Sequence, residues 1–409
     1  MTCSVHPKAA AKLAESRALN SRVVILTRAL VRCPSVTPDP DQTFTILSTF
    51  LRPLGFHIAE KRVENVTNFF ATRTFGEGGK HLMFLGHTDV VPPGDTTAWQ
   101  HPPFDGVIEN EILWGRGTAD MKGGIAAFCT ALERLLDGEH TLNGRVSLLL
   151  TSDEEGPAIH GVRAALPWLQ TLKDSRFPPD LCLAGEPTSQ THTADTLIVG
   201  RRGSLTGSLT LHGTQGHIAY PAQTDNPLTR LHAVLAALRH IGHTPKDDWP
   251  WGQLDTGYTP FEPSRLMLTG LTSPFIATNV TPAEATVHFG IRLNPHHTSE
   301  ALAAKITTVC KDHAGKHTLD FQHHGGPYLT RDETLIELCQ KAVQSATGRT
   351  PTLSAAGGTS DGRFVAAHAP VLELGLREET IHKVDEHVPL KDLIMLEAAY
   401  AAILRTFLT

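Results

Sequence analysis

Three apolar runs, each ending in acidic or imidazole side chains, constrain this chain more than any other feature. The first is Leu82-Met83-Phe84-Leu85-Gly86-His87-Thr88-Asp89, closed by Pro92. The second is Val146-Ser147-Leu148-Leu149-Leu150, which leads into Thr151-Ser152-Asp153-Glu154-Glu155-Gly156. The third is Leu181-Cys182-Leu183-Ala184-Gly185-Glu186-Pro187. Short apolar runs bounded by turn formers predict buried parallel strands. Open α/β sheets bind ligands outside the carboxyl ends of such strands. Side chains two apart on extended backbone share a side. His87 can therefore serve as a metal ligand with Asp89 holding its ring through the other nitrogen, although His-Thr-Asp taken alone reads equally as a satisfied strand-end histidine beside a turn aspartate. The adjacent acids Asp153, Glu154 and Glu155 repel one another unless a cation is present; taken alone such a run also reads as a solvated loop, but this one sits at a strand's carboxyl end.

Asp120 lies in Gly115-Arg116-Gly117-Thr118-Ala119-Asp120-Met121-Lys122-Gly123-Gly124, just before a helix expected from about Ile125 to Leu136. A helix dipole favours an anion there, so a plain cap would also account for Asp120 taken alone. Together the strand-end acids and Asp120 place several formal negative charges in one region; two divalent cations would balance four carboxylates and leave the histidines neutral. Oxygen and imidazole ligands without thiolate suit zinc, cobalt or manganese. Such a pair of ions usually shares a bridging carboxylate and activates a water between them.

A chain of 409 residues is long enough for two or three domains. Helices are expected over residues 7–33 and 42–54, and strands over 56–62 and 66–73. A further helix is expected at about 160–172. From about Gly200 the texture changes to antiparallel alternation (Ser204–Leu211), with helices at 226–240 and 299–313 and strands at 265–271, 284–293 and 317–322. This reads as an inserted α+β sandwich with two helices on one face. The domains are expected at 1–200, 201–324 and 325–409, the third completing the first. The fold class expected is α/β: a mixed, mostly parallel sheet flanked by helices, plus the inserted domain. A helix at 331–347, the glycine-rich loop Gly357–Arg363, a strand at Val371–Gly375 and a helix at 391–407 close the chain. His382, in Thr380-Ile381-His382-Lys383-Val384-Asp385-Glu386, is the last candidate ligand. His217, alone in a loop, reads by itself as a surface or structural residue.

The formal net charge is -6, without a basic stripe, so nucleic acid is not an expected partner. No apolar run approaches ~18 residues, so no membrane span is expected. The cysteines at 3, 33, 129, 182, 310 and 339 have no zinc-finger or redox spacing, which fits a reducing, cytoplasmic setting.

The motifs around His87, Asp120, Glu155 and Glu186 resemble those of the metal-dependent aminoacylase/carboxypeptidase clan. Three further stretches are similar to its succinyl-diaminopimelate desuccinylase subgroup: Gly200–Ser204, Gln215–Pro221 and Gly357–Phe364. The resemblance covers nearly the whole chain and implies roles for single residues. His87 and Glu186 would hold one zinc, and Glu155 and His382 the other. Asp120 would bridge the two, with a cis peptide to Met121. Asp89 would orient His87, and Glu154 would be the general base. Cobalt or manganese would be able to replace the two zinc ions of each subunit. His217 would stabilise the oxyanion from the partner subunit of a homodimer. Arg201, Arg292, Asn279 and Thr359 would bind a small substrate with several carboxylates. The implied reaction is hydrolysis of N-succinyl-LL-2,6-diaminopimelate, in lysine and diaminopimelate biosynthesis. Alternatives are a related N-acyl-amino-acid amidohydrolase, such as an acetylornithine deacetylase, and a non-catalytic binding protein on the same fold. The chain departs from the subgroup pattern at Leu376-Arg377-Glu378-Glu379 and at Ser273–Thr278.

Overall fold

A computed structural model describes residues 18–138, 141–239, 241 and 250–409. The chain clusters into two compact units. The first comprises Met1–Val199, Thr330–Ser354 and Ser360–Thr409; the second comprises Gly200–Leu329 and Ala355–Thr359.

The first unit is α/β, built on an eight-stranded mixed sheet. Its order is His57–Val63, Val66–Phe75, Gly144–Thr151, His81–His87, Leu181–Ala184, Val371–Glu373, Thr196–Ile198, Thr352–Ser354. The four central strands, from Gly144–Thr151 to Val371–Glu373, run parallel. The three apolar runs of the sequence are thus neighbours, and His81–His87 lies between the other two. Every residue of His81–His87 and Gly144–Thr151 is buried, as continuous apolar composition requires of strands covered on both faces. Phe84 stacks on Phe128 of the Gly123–Leu136 helix, with ring centroids 4.2 Å apart. It also meets Tyr400 of the closing helix, Leu390–Leu408, edge-on at 5.8 Å.

Most elements lie within two residues of their expected bounds. The first described helix is Arg22–Val31; the part of the 7–33 expectation before Ala18 lies outside the described residues. The 42–54 helix stops at Leu51, because Pro53 cannot donate to the helical ladder.

The second unit carries a four-stranded antiparallel sheet in the order Arg265–Thr272, Glu284–Leu293, Gly203–His212, His317–Gly325. Along Glu284–Leu293 the alternate residues Ala285, Val287, Phe289, Ile291 and Leu293 are buried. They share one core with Leu231 and Val234 of the Pro227–Leu238 helix and with Leu302 and Ile306 of the Ser299–His313 helix. Both helices start on side-chain caps: Asn226 accepts from Leu228 N and Thr298 from Ala301 N. The unit extends past residue 324 because Tyr328–Leu329 pairs antiparallel with Gly200–Arg201. Ala355–Thr359 joins it where Arg201 Nη1 donates to the Ala356 carbonyl at 2.9 Å.

Candidate metal centre

The parallel strands deliver their ends side by side, and close packing sets what precedes each ligand. A Cβ on Gly86 would lie 2.7 Å from Met121 Cε, and one on Gly185 would lie 2.4 Å from Phe84 Cζ. No larger residue fits before His87 or Glu186 without shifting these neighbours. Met121 itself is fully buried beneath the strand ends.

His87 Nε2 lies 3.1 Å from Asp120 Oδ1 and 4.0 Å from Glu186 Oε1. His382 Nε2 lies 3.3 Å from Asp120 Oδ2 and 2.8 Å from Glu155 Oε1. The Asp120 carboxylate therefore offers one oxygen to each imidazole, with an outer glutamate beside each histidine. Ligand atoms of His87, Asp120 and Glu155 all lie within 4.8 Å of one another. Asp120 caps no helix: the Gly123–Leu136 helix begins after Lys122 without a side-chain cap. The Asp120–Met121 peptide is cis.

The charges fit a cation. Burial works against a charged His87, but the Asp120 hydrogen bond and the Glu186 field raise it well above its ordinary value. Hydrogen bonds to Asp120 and Glu155 raise His382 to about 10. Desolvation and then Glu186 lift the Glu154 carboxyl well above the usual range. Carboxylates that pull protons onto both imidazoles would hold divalent ions in the same place. The donor set, three carboxylates and two imidazoles without thiolate, is one that zinc accepts.

Asp89 differs in detail from its expected contact. His87 Nδ1 meets the Asp89 backbone carbonyl at 2.9 Å, while the Asp89 carboxylate stands at 3.7 Å. That carboxylate instead accepts from Glu154 N at 3.3 Å and Glu155 N at 3.1 Å. Asp89 thus couples the end of one strand to the acidic loop after the next.

Sequence reasoning passed over Glu386. Its side chain is fully buried and accepts from Gly117 N at 3.0 Å, Ala119 N at 3.0 Å and Asp120 N at 3.2 Å. Arg116 Nη1 donates to it at 2.8 Å, and also to the Lys383 carbonyl at 3.1 Å. The pair clamps the Asp120 turn to the loop that carries His382. An acid four residues after a candidate ligand was the one available signal. Asp361 was passed over too: it is buried, neither carboxylate oxygen has a hydrogen-bond partner among the described residues, Arg363 Nη2 stands 3.8 Å from Oδ1, and burial lifts the carboxyl to about 7.

The remaining expected site residues lie in the second unit. His217, in the short Gly216–His217 strand that pairs with Val280–Thr281, meets Asn279 Nδ2 through Nε2 at 3.2 Å. Arg201 is buried against the segment that carries Thr359. Arg292 meets Ser204 Oγ on the face of the sheet that the unit's helices leave uncovered.

The model of peptidase family M20/M25/M40 matches residues 83–406. The chain belongs to that family. It is 43% identical over 389 residues to a succinyl-diaminopimelate desuccinylase of Halorhodospira halophila, covering 95% of this chain and 99% of the relative. A protein of the same name from Rhodospirillum centenum is 44% identical over 386 residues, covering 93% and 96%. Among solved structures, an M20 family metallo-carboxypeptidase from Sulfolobus solfataricus superposes with a TM-score of 0.75 at 17% identity, covering 95% of this chain and 99% of that one. A dinuclear metal-binding M20 peptidase of Bacillus subtilis gives 0.69 at 13% identity, covering 96% and 99%. These likenesses agree with the α/β fold. Among the described residues no helix is long and apolar enough to cross a membrane, and Cys33, Cys129, Cys182, Cys310 and Cys339 are free and buried.

Proposed function

We propose that this family member is a two-zinc amidohydrolase that cleaves N-succinyl-LL-2,6-diaminopimelate to succinate and LL-2,6-diaminopimelate. The observation that carries this reading is the Asp120 carboxylate shared between His87 and His382, in a chain alike along its length to proteins of that name. His87 and Glu186 would hold one ion, Glu155 and His382 the other, and Asp120 both. When bound, such ions polarise a carbonyl and make a water acidic near neutral pH.

Glu154 does the proton work. Its raised carboxyl suits a base that later acts as an acid. It takes a proton from the water, whose oxygen then bonds to the amide carbonyl carbon. As the tetrahedral intermediate collapses, the C–N bond breaks and Glu154 returns the proton to the leaving nitrogen. Asp89, through the amides of Glu154 and Glu155, holds the two adjacent side chains in different roles. His217 supplies a donor to the oxyanion from the partner of a homodimer. Its exposed apolar neighbours Ile218 and Tyr220 support an interface there. Arg201, Arg292, Asn279 and Thr359 take the substrate's carboxylates. The inserted unit serves as lid and dimerisation domain, and the enzyme works in the cytoplasm on a small metabolite.

The test is a steady-state assay of the zinc-loaded protein with N-succinyl-diaminopimelate and N-acetylornithine side by side. Turnover of the succinyl substrate alone is the expected result. Turnover of the acetyl substrate alone would keep the metal chemistry and discard the substrate.

A further inference from the structure

Four segments of the first unit, far apart along the chain, meet around one cavity of about 370 Å³. They are the turn at 191–193, Arg349 after the Glu333–Thr347 helix, Arg377 after the Val371–Glu373 strand, and the first turn of the Leu390–Leu408 helix with Lys391 and Asp392. None of these residues belongs to the metal centre or to the substrate residues proposed above. Arg377 lies in the Leu376–Glu379 stretch, where the chain departs from the desuccinylase pattern.

The lining carries Arg349, Arg377 and Lys391 against one acid, Asp392. Asp392 Oδ2 accepts from Arg377 Nε at 2.9 Å. Glu379 Oε2, outside the lining and on a side chain 65% exposed, accepts from Arg377 Nη1 at 2.9 Å. Arg349 and Lys391 are exposed and have no ion pair among the described residues. Thr193 lines the same cavity and is only 4% exposed, and its Oγ1 is buried without a hydrogen-bond partner among the described residues. Buried hydroxyls are normally satisfied, so this one points to a missing partner. The Leu390–Leu408 helix starts after Pro389 with no side-chain cap, and the amino end of a helix favours an anion.

Three cations against one acid leave the lining with two positive charges in excess. A phosphate monoester carries about -1.5 to -2 at neutral pH, and its oxygens accept from guanidinium, ammonium and hydroxyl groups alike. A cavity of this size holds the phosphate together with part of the molecule that bears it.

We propose that Arg349, Arg377, Lys391 and Thr193 form a binding site for the phosphate group of a small metabolite, built from none of the metal ligands. The site stands whether or not the chain is a desuccinylase.

The test uses the full chain with its metal bound and inorganic phosphate as the probe, titrated calorimetrically at neutral pH and constant ionic strength. Wild type should bind phosphate saturably. Arg349→Gln and Lys391→Gln each remove an exposed cation without an ion pair, so melting temperatures should stay at the wild-type value while phosphate affinity falls about tenfold. Thr193→Val removes the unused hydroxyl and keeps the shape. Without phosphate it should melt at or above wild type, and phosphate should raise its melting temperature less than that of wild type. Phosphate held by the metal ions would not respond to these substitutions, so the affinity lost with Arg349 or Lys391 reports this cavity. No saturable binding, or equal affinity in wild type, Arg349→Gln and Lys391→Gln, would overturn the site. An Arg349-dependent affinity for succinate equal to that for phosphate would overturn its assignment to phosphate.

Discussion

His81 and His87 bound the same seven-residue strand and are equally hidden, 3% and 1% exposed. Their protonation runs in opposite directions. Burial, with Arg145 and Arg176 nearby, pushes His81 down to about 4. His81 is thus a neutral core group: Nδ1–H donates to the Arg176 carbonyl at 3.2 Å, and Nε2 accepts from Ser147 Oγ at 2.8 Å. His87 is desolvated too, but it faces Asp120 and Glu186, and it is driven upward. Depth in the sheet therefore does not mark a functional histidine. The sign of the charge around it does, and in a parallel sheet that sign differs between the two strand ends.

Substitutions at either end would break or sharpen this contrast. The largest effect belongs to the carboxyl end. Glu154→Gln should lower kcat by about a thousandfold, within the range for a lost general base. Metal content, measured by atomic emission, should match wild type; loss of metal would make Glu154 a ligand instead. His81→Gln should leave kcat within twofold and act on stability. The unfolded chain takes up a proton at His81 near its ordinary 6.5, and the folded chain only near 4. Stability is therefore lost as pH falls through that window and is flat above it. The His81 contribution is about 3 kcal/mol. Urea unfolding of wild type and variant at pH 7 and pH 4 should show their difference shrinking by that amount; a constant difference would mean that His81 titrates normally.

The next effect returns to the ligand end. Zinc at about a hundred times its Kd should stabilise wild type by about 2.7 kcal/mol. Asp120→Asn should lose most of that gain, read as the metal-dependent rise in melting temperature. An equal rise in both proteins would place the ions elsewhere.

Much of this contrast was legible in the sequence, because strand ends carry local signals. Apolar runs stopping at His87, Glu154-Glu155 and Glu186 mark the carboxyl ends without any structure. The antiparallel unit was legible through alternation: Ala285 to Leu293 turns every second residue inward. What could not be read was whatever depends on contacts distant along the chain. Nothing near Glu386 says that it receives the Asp120 turn, 266 positions away. Nothing near Asp89 says that its carboxylate would leave the imidazole for the amides of Glu154 and Glu155. His81 carries no local signal either, since its neutral state depends first on burial and then on Arg145, distant along the chain. The meeting of Arg349, Arg377 and Lys391 around one cavity needed contacts that the composition of their segments does not specify.

The Glu386 clamp also bears on the order in which this molecule is made. Synthesis runs from the amino terminus, so Gly117, Ala119 and Asp120 leave the ribosome long before the side chain that accepts their amides. His382 and the Val371–Glu373 strand, which separates Leu181–Ala184 from Thr196–Ile198 in the sheet, are also late arrivals. Until they dock, the nascent chain has His87, Asp120, Glu155 and Glu186 but neither the second imidazole nor the clamp. The residues that would complete the proposed metal centre are therefore made after its other candidate ligands, and a polypeptide truncated before Thr380 would lack both His382 and the Glu386 carboxylate that receives the Asp120 turn.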